Sequence, residues 1–156
     1  MSFDLGEVSD RLEIHDVLAR YSYAIDFRRW ADLDAIFTPD ATIDYRATGG
    51  ITGNLAEIEA FLDSSFAMVN RSQHLMATTV IDFEPDRAAA ATRTMCHNPM
   101  VFAGAGGIAD PGRLAVFGLW YHDRFVRTAA GWRIAQRTQE QAYAFLPDGT
   151  PFQVPQ

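Results

Sequence analysis

The chain has 156 residues, 48 % of them apolar and 12 % aromatic, which fits one domain over 1–156 with a sizeable core. A formal charge of -7 speaks against nucleic acid or anionic membrane as partners, because both are held by clustered Lys and Arg. Met1 to Asp10 carries acids rather than a basic leader, and no apolar run approaches a membrane span, so a cytoplasmic protein is expected.

Along the chain, Leu12, Ile14, Leu18, Tyr21 and Ile25 recur at helical spacing from Val8 to Phe27, with Ser9, Asp10 and Glu13 suited to the helix start. A short second helix is predicted over Trp30 to Phe37, ended by Thr38-Pro39-Asp40, since Pro39 lacks a backbone donor and disfavours helix before it. A strand follows from Ala41 to Arg46, then a turn at Thr48-Gly49-Gly50. Asn54 is a candidate cap for a third helix carrying Leu55, Ile58, Phe61, Leu62 and Phe66.

After Asn70 the pattern becomes β-rich: Gln73 to Phe83, a turn at Glu84 to Arg87, Ala88 to Phe102, a Gly-rich loop at Gly104 to Gly112, Arg113 to Thr128, and Trp132 to Phe145. Helices first and an antiparallel meander second is an α+β order, with a curved sheet wrapped on the helices and a cavity at its open end. Eleven Phe, five Tyr and three Trp supply rings for the core and for the walls of such a cavity. The tail Pro147-Asp148-Gly149-Thr150-Pro151 reads as a turn and a loose end.

Two segments carry a resemblance. Tyr21-Ser22-Tyr23-Ala24-Ile25-Asp26 with Trp30, Leu33, Phe37, Pro39-Asp40-Ala41 and Asp44-Tyr45, and Gly118 to Phe125 followed by Gly131-Trp132-Arg133-Ile134, are similar to the opening and the last two strands of SnoaL-like proteins of the nuclear-transport-factor-2-like fold. The resemblance implies a cone-shaped α+β (cystatin-like) fold around an apolar pocket. Within that superfamily the chain looks most like scytalone dehydratase, with bile-acid dehydratases and a hexachlorocyclohexane dehydrochlorinase as related lyases. It carries a catalytic aspartate onto Asp26, a catalytic histidine onto His74, and a carbonyl-polarising tyrosine onto Tyr45. It also carries a second histidine onto His97 when the intervening hairpin is shortened. The tyrosine directly before the aspartate in scytalone dehydratase is Ile25 here, and its asparagine on the third long strand falls on Tyr121. Tyr21, five residues before Asp26, resembles the bile-acid dehydratase tyrosine, whereas helical geometry sets Tyr23 nearly beside Asp26. Both stay open as pocket residues.

A carboxylate against an imidazole in an apolar cavity fixes the ring tautomer and prepares the histidine as a base, without supplying a nucleophile. In a dehydration His74 would take a proton next to a carbonyl, Asp26 would stabilise the imidazolium, and a tyrosine hydroxyl would share charge on the carbonyl oxygen. No cofactor is called for. Read locally, Asp26 is a helix-end carboxylate near Arg28 or Arg29, and His74 a satisfied or surface histidine; the family match is what raises both. His15 and His122 read as solvated partners of Asp16 and Asp123. Cys96 reads as a small buried apolar residue, and Cys96 with His97 lacks further ligands at metal spacing. Gly104 to Gly107 lacks the Lys-Ser/Thr and the helix of a phosphate loop, and no serine sits in a nucleophile elbow.

The leading expectation is therefore a cofactor-independent lyase of the dehydratase type acting on a carbonyl-bearing, cyclic, apolar small molecule. An isomerase or polyketide cyclase uses the same parts, and the fold also serves as a small-molecule-binding module or as the structural small subunit of ring-hydroxylating dioxygenases. A homo-oligomer, trimer or dimer, is implied by the outer sheet face that this superfamily packs against copies of itself.

Overall fold

The computed structural model describes residues 2–103 and 112–147; the Gly-rich connection and most of the tail singled out above lie outside the described residues. Helix α1 runs Leu5–Asp26, earlier than its apolar spacing predicts, because Asp4 rather than Ser9 caps it by accepting from the Glu7 N–H at 2.7 Å. Ile14, Leu18, Tyr21 and Ile25 are buried along one face, whereas Leu12, expected on the same stripe, is 66 % exposed. The helix closes with the Arg28 N–H on the Ile25 carbonyl and the Arg29 N–H on the Ala24 carbonyl. This Schellman pattern puts Arg28 in the left-handed region at φ 55°.

Trp30–Ala35 is a single 3-10 stretch, and β1 already begins at Phe37, running Phe37–Asp44. Thr38-Pro39-Asp40, expected to precede the strand, lies inside it. The sheet tolerates Pro39 because the register between β1 and β7 shifts between Phe37 and Thr42, and because β2 (Thr52–Gly53) pairs only with Ile43 and Asp44. Helix α2, Leu55–Ser65, starts as predicted at Asn54, whose side chain and that of Glu57 form a reciprocal capping box.

The strand expected over Gln73 to Phe83 begins at Leu75 as β4 (Leu75–Phe83), and a strand not expected from the sequence, β3 (Val69–Ser72), precedes it across the break at Gln73-His74. Both lie along the same edge of β5 (Ala89–Phe102), β3 against Met100 to Phe102 and β4 against Ala90 to His97. Strands β6 (Arg113–Thr128) and β7 (Gly131–Phe145) complete an unclosed curved sheet ordered β2-β1-β7-β6-β5-β3, with β4 also on β5 and, among the described residues, only β1–β7 parallel. The helices pack on the sheet, α1 against β7 and β4 and α2 against β1, over a core that takes in Cys96, Ala115, Phe117, Leu119, Tyr121, Phe125 and Ile134. Among the described residues no helix is long and apolar enough to cross a membrane.

The β6–β7 turn is tied to α1 at one point. Glu13 accepts the Trp132 N–H at 2.9 Å, and a Cβ on Gly131, which has φ 98°, would meet Glu13 Oε1 at 2.1 Å. Gly131→Ala should therefore lower unfolding stability by about 1–2 kcal/mol from the left-handed backbone alone. Urea denaturation followed by tryptophan fluorescence measures it; an unchanged midpoint would contradict this account of the turn.

Candidate functional site

Asp26 is the last residue of α1, and its carboxylate faces the break between β3 and β4. It accepts from Ser72 Oγ at 2.8 Å, from the His74 backbone N–H at 2.8 Å and from His74 Nδ1–H at 2.6 Å. The helix end is held against this break by Arg28, which donates to the Val69 carbonyl. Burial pushes the Asp26 carboxyl up, but the hydrogen bonds and charge of His74, with the Ser72 hydroxyl, outweigh it and leave the group below the usual carboxylate range. An ionised carboxylate only accepts, so Nδ1 of His74 carries the proton and Nε2 faces the other way.

Nε2 of His74 meets Nδ2 of Asn98 at 3.0 Å. His74 is 9 % and Asn98 4 % exposed, and Asn98 Oδ1 is buried with no hydrogen-bond partner among the described residues. A cleft of about 1350 Å³ opens beside the Asp26–His74 pair; its wall includes Ser22, Tyr23, Asp26, Phe66, His74 and Met76.

Behind His74 lies a layer of tyrosines around a buried cation. Tyr21 and Tyr45 share a hydrogen bond of 2.8 Å between their hydroxyls. The Tyr21 ring is edge-on to His74 with centroids 6.3 Å apart and to Tyr121 at 5.7 Å. The Arg137 guanidinium lies 4.0 Å from the Tyr21 centroid and 4.3 Å from that of Tyr121, and pairs with Asp123 through two bonds of 2.7 Å. Burial alone would depress Arg137, but the charge and hydrogen bonds of Asp123 raise it well above its usual value. Burial pushes Tyr21, Tyr45 and Tyr121 well above the normal phenol range, so all three remain donors near neutral pH. Gln139 completes the layer, with its amide donating to the Tyr121 hydroxyl at 3.4 Å.

Of the residues singled out from the sequence, Asp26 and His74 are in contact, and Tyr21, Tyr45 and Tyr121 sit together beside them. Three placements differ from expectation. Tyr45 and Tyr121, expected to face an apolar pocket, are packed in the core and do not line the cleft, whose wall mixes apolar and polar side chains. Tyr23 and Tyr21 divide the roles left open between them. Tyr23 lines the cleft, 58 % exposed and stacked on Phe27, while Tyr21 turns inward. His97, expected at the pocket, projects from the outer sheet face beside the Tyr143 hydroxyl at 3.3 Å, because strand alternation sends its neighbour Asn98 inward instead. Cys96 is buried, and burial pushes its thiol up to about 12. Ser72, Asn98 and Arg137 carry no sequence expectation, and Asp123, expected as the solvated partner of His122, is buried on Arg137 while His122 pairs with Glu140 at 2.6 Å. Asp123, set between Tyr121 and Phe125 on the inward positions of β6, was the one available signal, whereas a register shift on β7 takes Arg137 out of step with the buried Trp132 and Ile134.

Residues 6–138 match the model of the SnoaL-like domain. The uncharacterized protein Rv2910c of Mycobacterium tuberculosis is 44 % identical over 139 residues, covering 89 % of this chain and 90 % of its own. Among solved structures, a Novosphingobium barchaimii hexachlorocyclohexane dehydrochlorinase, LinA-type3, superposes with a TM-score of 0.77 at 15 % identity over 98 % of this chain and 100 % of that one. A Novosphingobium aromaticivorans protein assigned as a scytalone dehydratase gives 0.76 at 15 % over 96 % and 97 %. A nuclear transport factor 2-like protein of Salmonella enterica gives 0.71 at 16 % over 86 % and 92 %. At those identities the solved structures speak to the fold alone, which is that of the nuclear-transport-factor-2-like superfamily. The chain belongs to the SnoaL-like domain family.

Proposed function

We propose that this protein, one SnoaL-like domain over 1–156, is a cofactor-independent lyase of the dehydratase type that works on a carbonyl-bearing, cyclic, apolar small molecule in the cytoplasm. The observation that carries the reading is the 2.6 Å contact between Asp26 and His74 Nδ1 at the wall of an open cleft. A structural subunit has no need of a carboxylate saturated with donors so that one imidazole nitrogen is left as acceptor. The dehydratase and dehydrochlorinase among the structural neighbours are lyases by name, which is consistent with the reading.

In the proposed reaction Nε2 of His74 takes the proton α to the substrate carbonyl, and Asp26 stabilises the imidazolium through Nδ1–H. Tyr45, hydrogen-bonded to Tyr21, supplies the phenol that shares charge on the enolate oxygen once a substrate opens the tyrosine layer, with Tyr23 and Tyr121 as further contacts. The enolate collapses, the bond to the β-hydroxyl breaks, and the imidazolium returns its proton to that oxygen, releasing water and a conjugated enone. Isomerase and cyclase chemistry uses the same proton transfers. Purified protein incubated with β-hydroxy ketones should raise conjugated-enone absorbance, whereas a rise with β,γ-enones alone would mark an isomerase. Asp26→Asn and His74→Ala should each reduce turnover by roughly 10²–10⁴-fold with folding retained, and unchanged rates in both would refute the site.

The same carboxylate predicts an acid transition. Its pKa is lowered in the folded state, so its stabilising contribution is complete above the unfolded value and is lost as pH falls through the folded one. Urea midpoints measured from about pH 5 down to about pH 2 should fall more steeply for the native protein than for Asp26→Asn. Parallel curves would remove the charge from the account.

A homo-oligomer, trimer or dimer, is also proposed. Its support is the outer face of the sheet, where Leu75, Met95, Tyr143 and Phe145 are 58 %, 45 %, 44 % and 37 % exposed and surround Trp120 and Gly118. Light scattering should give a multiple of the 17.4 kDa chain mass, reduced towards one chain by Met95→Glu; a native monomer would overturn this.

A further inference from the structure

Resting on the dyad just proposed, the residue on the far side of His74 acquires a role of its own. Asn98 lies on β5, one position beyond His97, and its amide is the hydrogen-bond partner of Nε2 at 3.0 Å. Because Asp26 accepts from Nδ1–H, Nε2 of the neutral ring is an acceptor and the Asn98 Nδ2 group donates to it. The lone pair that would remove a substrate proton is thus occupied at rest. The other end of the amide, Oδ1, is buried without a partner among the described residues, a costly state for a carbonyl oxygen at 4 % exposure.

These two facts belong together. Turning the amide by half a rotation about its Cβ–Cγ bond exchanges Nδ2 and Oδ1. In one orientation a donor meets the bare Nε2 of neutral imidazole; in the other an acceptor meets the Nε2–H of imidazolium. Each orientation leaves one amide atom unpaired, so the surrounding core favours neither strongly and the proton on His74 decides between them. We propose that Asn98 is a positioning residue that turns its amide with the protonation of His74. It caps Nε2 while the ring is neutral, and it offers Oδ1 to the imidazolium after the ring has taken a proton from substrate carbon. Atoms balance without a further reactant. The proton moves from substrate carbon to Nε2, rests in the bond to Asn98 Oδ1, and passes to the departing hydroxyl.

The charged and titratable groups around this pair enter the test. Asp26 and Tyr21 face His74 from α1. Cys96 on β5 is close enough to Asp26 to feel its charge, and Arg137 on β7 acts on Cys96. Tyr21 and Cys96 keep their protons well above neutral, and Asp26 loses its proton below the usual carboxylate range. Between those limits a change at Asn98 reports on His74.

The experiment is a nitrogen-15 NMR titration of the labelled native protein without substrate, reading the His74 ring nitrogens and the Asn98 side-chain amide together. The neutral ring is expected as the Nδ1–H form, and the two Asn98 amide protons are expected to shift with the same midpoint as the ring. Asn98 signals that stay flat across the His74 transition overturn the proposal. Asn98→Asp, which accepts but does not donate once ionised, should hold the doubly protonated ring to a pH higher by about 1–3 units, and an unmoved midpoint is equally fatal. Should that variant not fold, the native titration decides alone. Neither reading needs turnover, so flat Asn98 signals sink this proposal and leave the dyad standing, while failure of every hydroxy ketone sinks the dehydratase reading and leaves the response of Asn98 to His74 untouched.

Discussion

The arrangement hangs on one carboxylate. Asp26 gathers hydrogen bonds from residues 46 and 48 positions away, and in doing so fastens the last turn of α1 to the break between β3 and β4. That break explains itself in the same terms. The register on β5 runs unshifted across the break, with the Gln73 N–H on the Pro99 carbonyl, so strand alternation turns the His74 N–H off the edge of the sheet, where the carboxylate takes it. Every backbone donor at the gap therefore has a partner, which is the condition for leaving regular pairing in a buried place. Arg28 bears the cost of the sharp helix end, occupying the left-handed region that glycine usually fills, and its side chain repays some of that strain at the Val69 carbonyl.

A second constraint stands behind the first. Arg137 and Asp123 are an ion pair with both side chains fully buried, a poor source of net stability because two desolvation penalties offset the Coulomb gain. Its effect is directional. Two parallel hydrogen bonds fix the plane of the guanidinium, and that plane fixes the faces of Tyr21 and Tyr121 lying against it. Tyr21 then presents its edge to His74 and its hydroxyl to Tyr45. The imidazole is thus held by a carboxylate at one nitrogen, an amide at the other, and a ring whose own position is set by a charge pair on β6 and β7.

Much of this was readable before any coordinates. Alternation over Arg113 to Thr128 defined β6 to the residue, and Asn54 announced the start of α2, because both signals are local and strong. The failures are equally physical. Pro39 reads as a helix stop, and its place inside β1 depends on a register shift against β7, which is a property of two distant segments. His97 and Asn98 differ by one step on a strand of period two, so a placement through a hairpin of uncertain length puts the wrong one inside. Asp26 and His74 owed their selection to matched segments along the chain; nothing adjacent to either predicts the other. Nothing local marks Arg137 as inward; its burial follows from Asp123 opposite it across the β6–β7 ladder.

The cleft and the tyrosine layer meet at His74, and this sets what the proposed chemistry demands of a ligand. A molecule entering past Tyr23 and Met76 finds both imidazole nitrogens already engaged and the phenols closed over one another. The bond to Asp26 is charge-assisted, whereas that to Asn98 joins two neutral groups and that between Tyr21 and Tyr45 two hydroxyls, so the latter two are the weaker. A polar group on the ligand exchanges with those two first and leaves the carboxylate contact intact. Selectivity would then rest on a ligand that carries a carbonyl for the phenols and a hydroxyl or proton for the Nε2 side at the right separation. An apolar molecule lacking either would have to leave a buried hydrogen bond unmade.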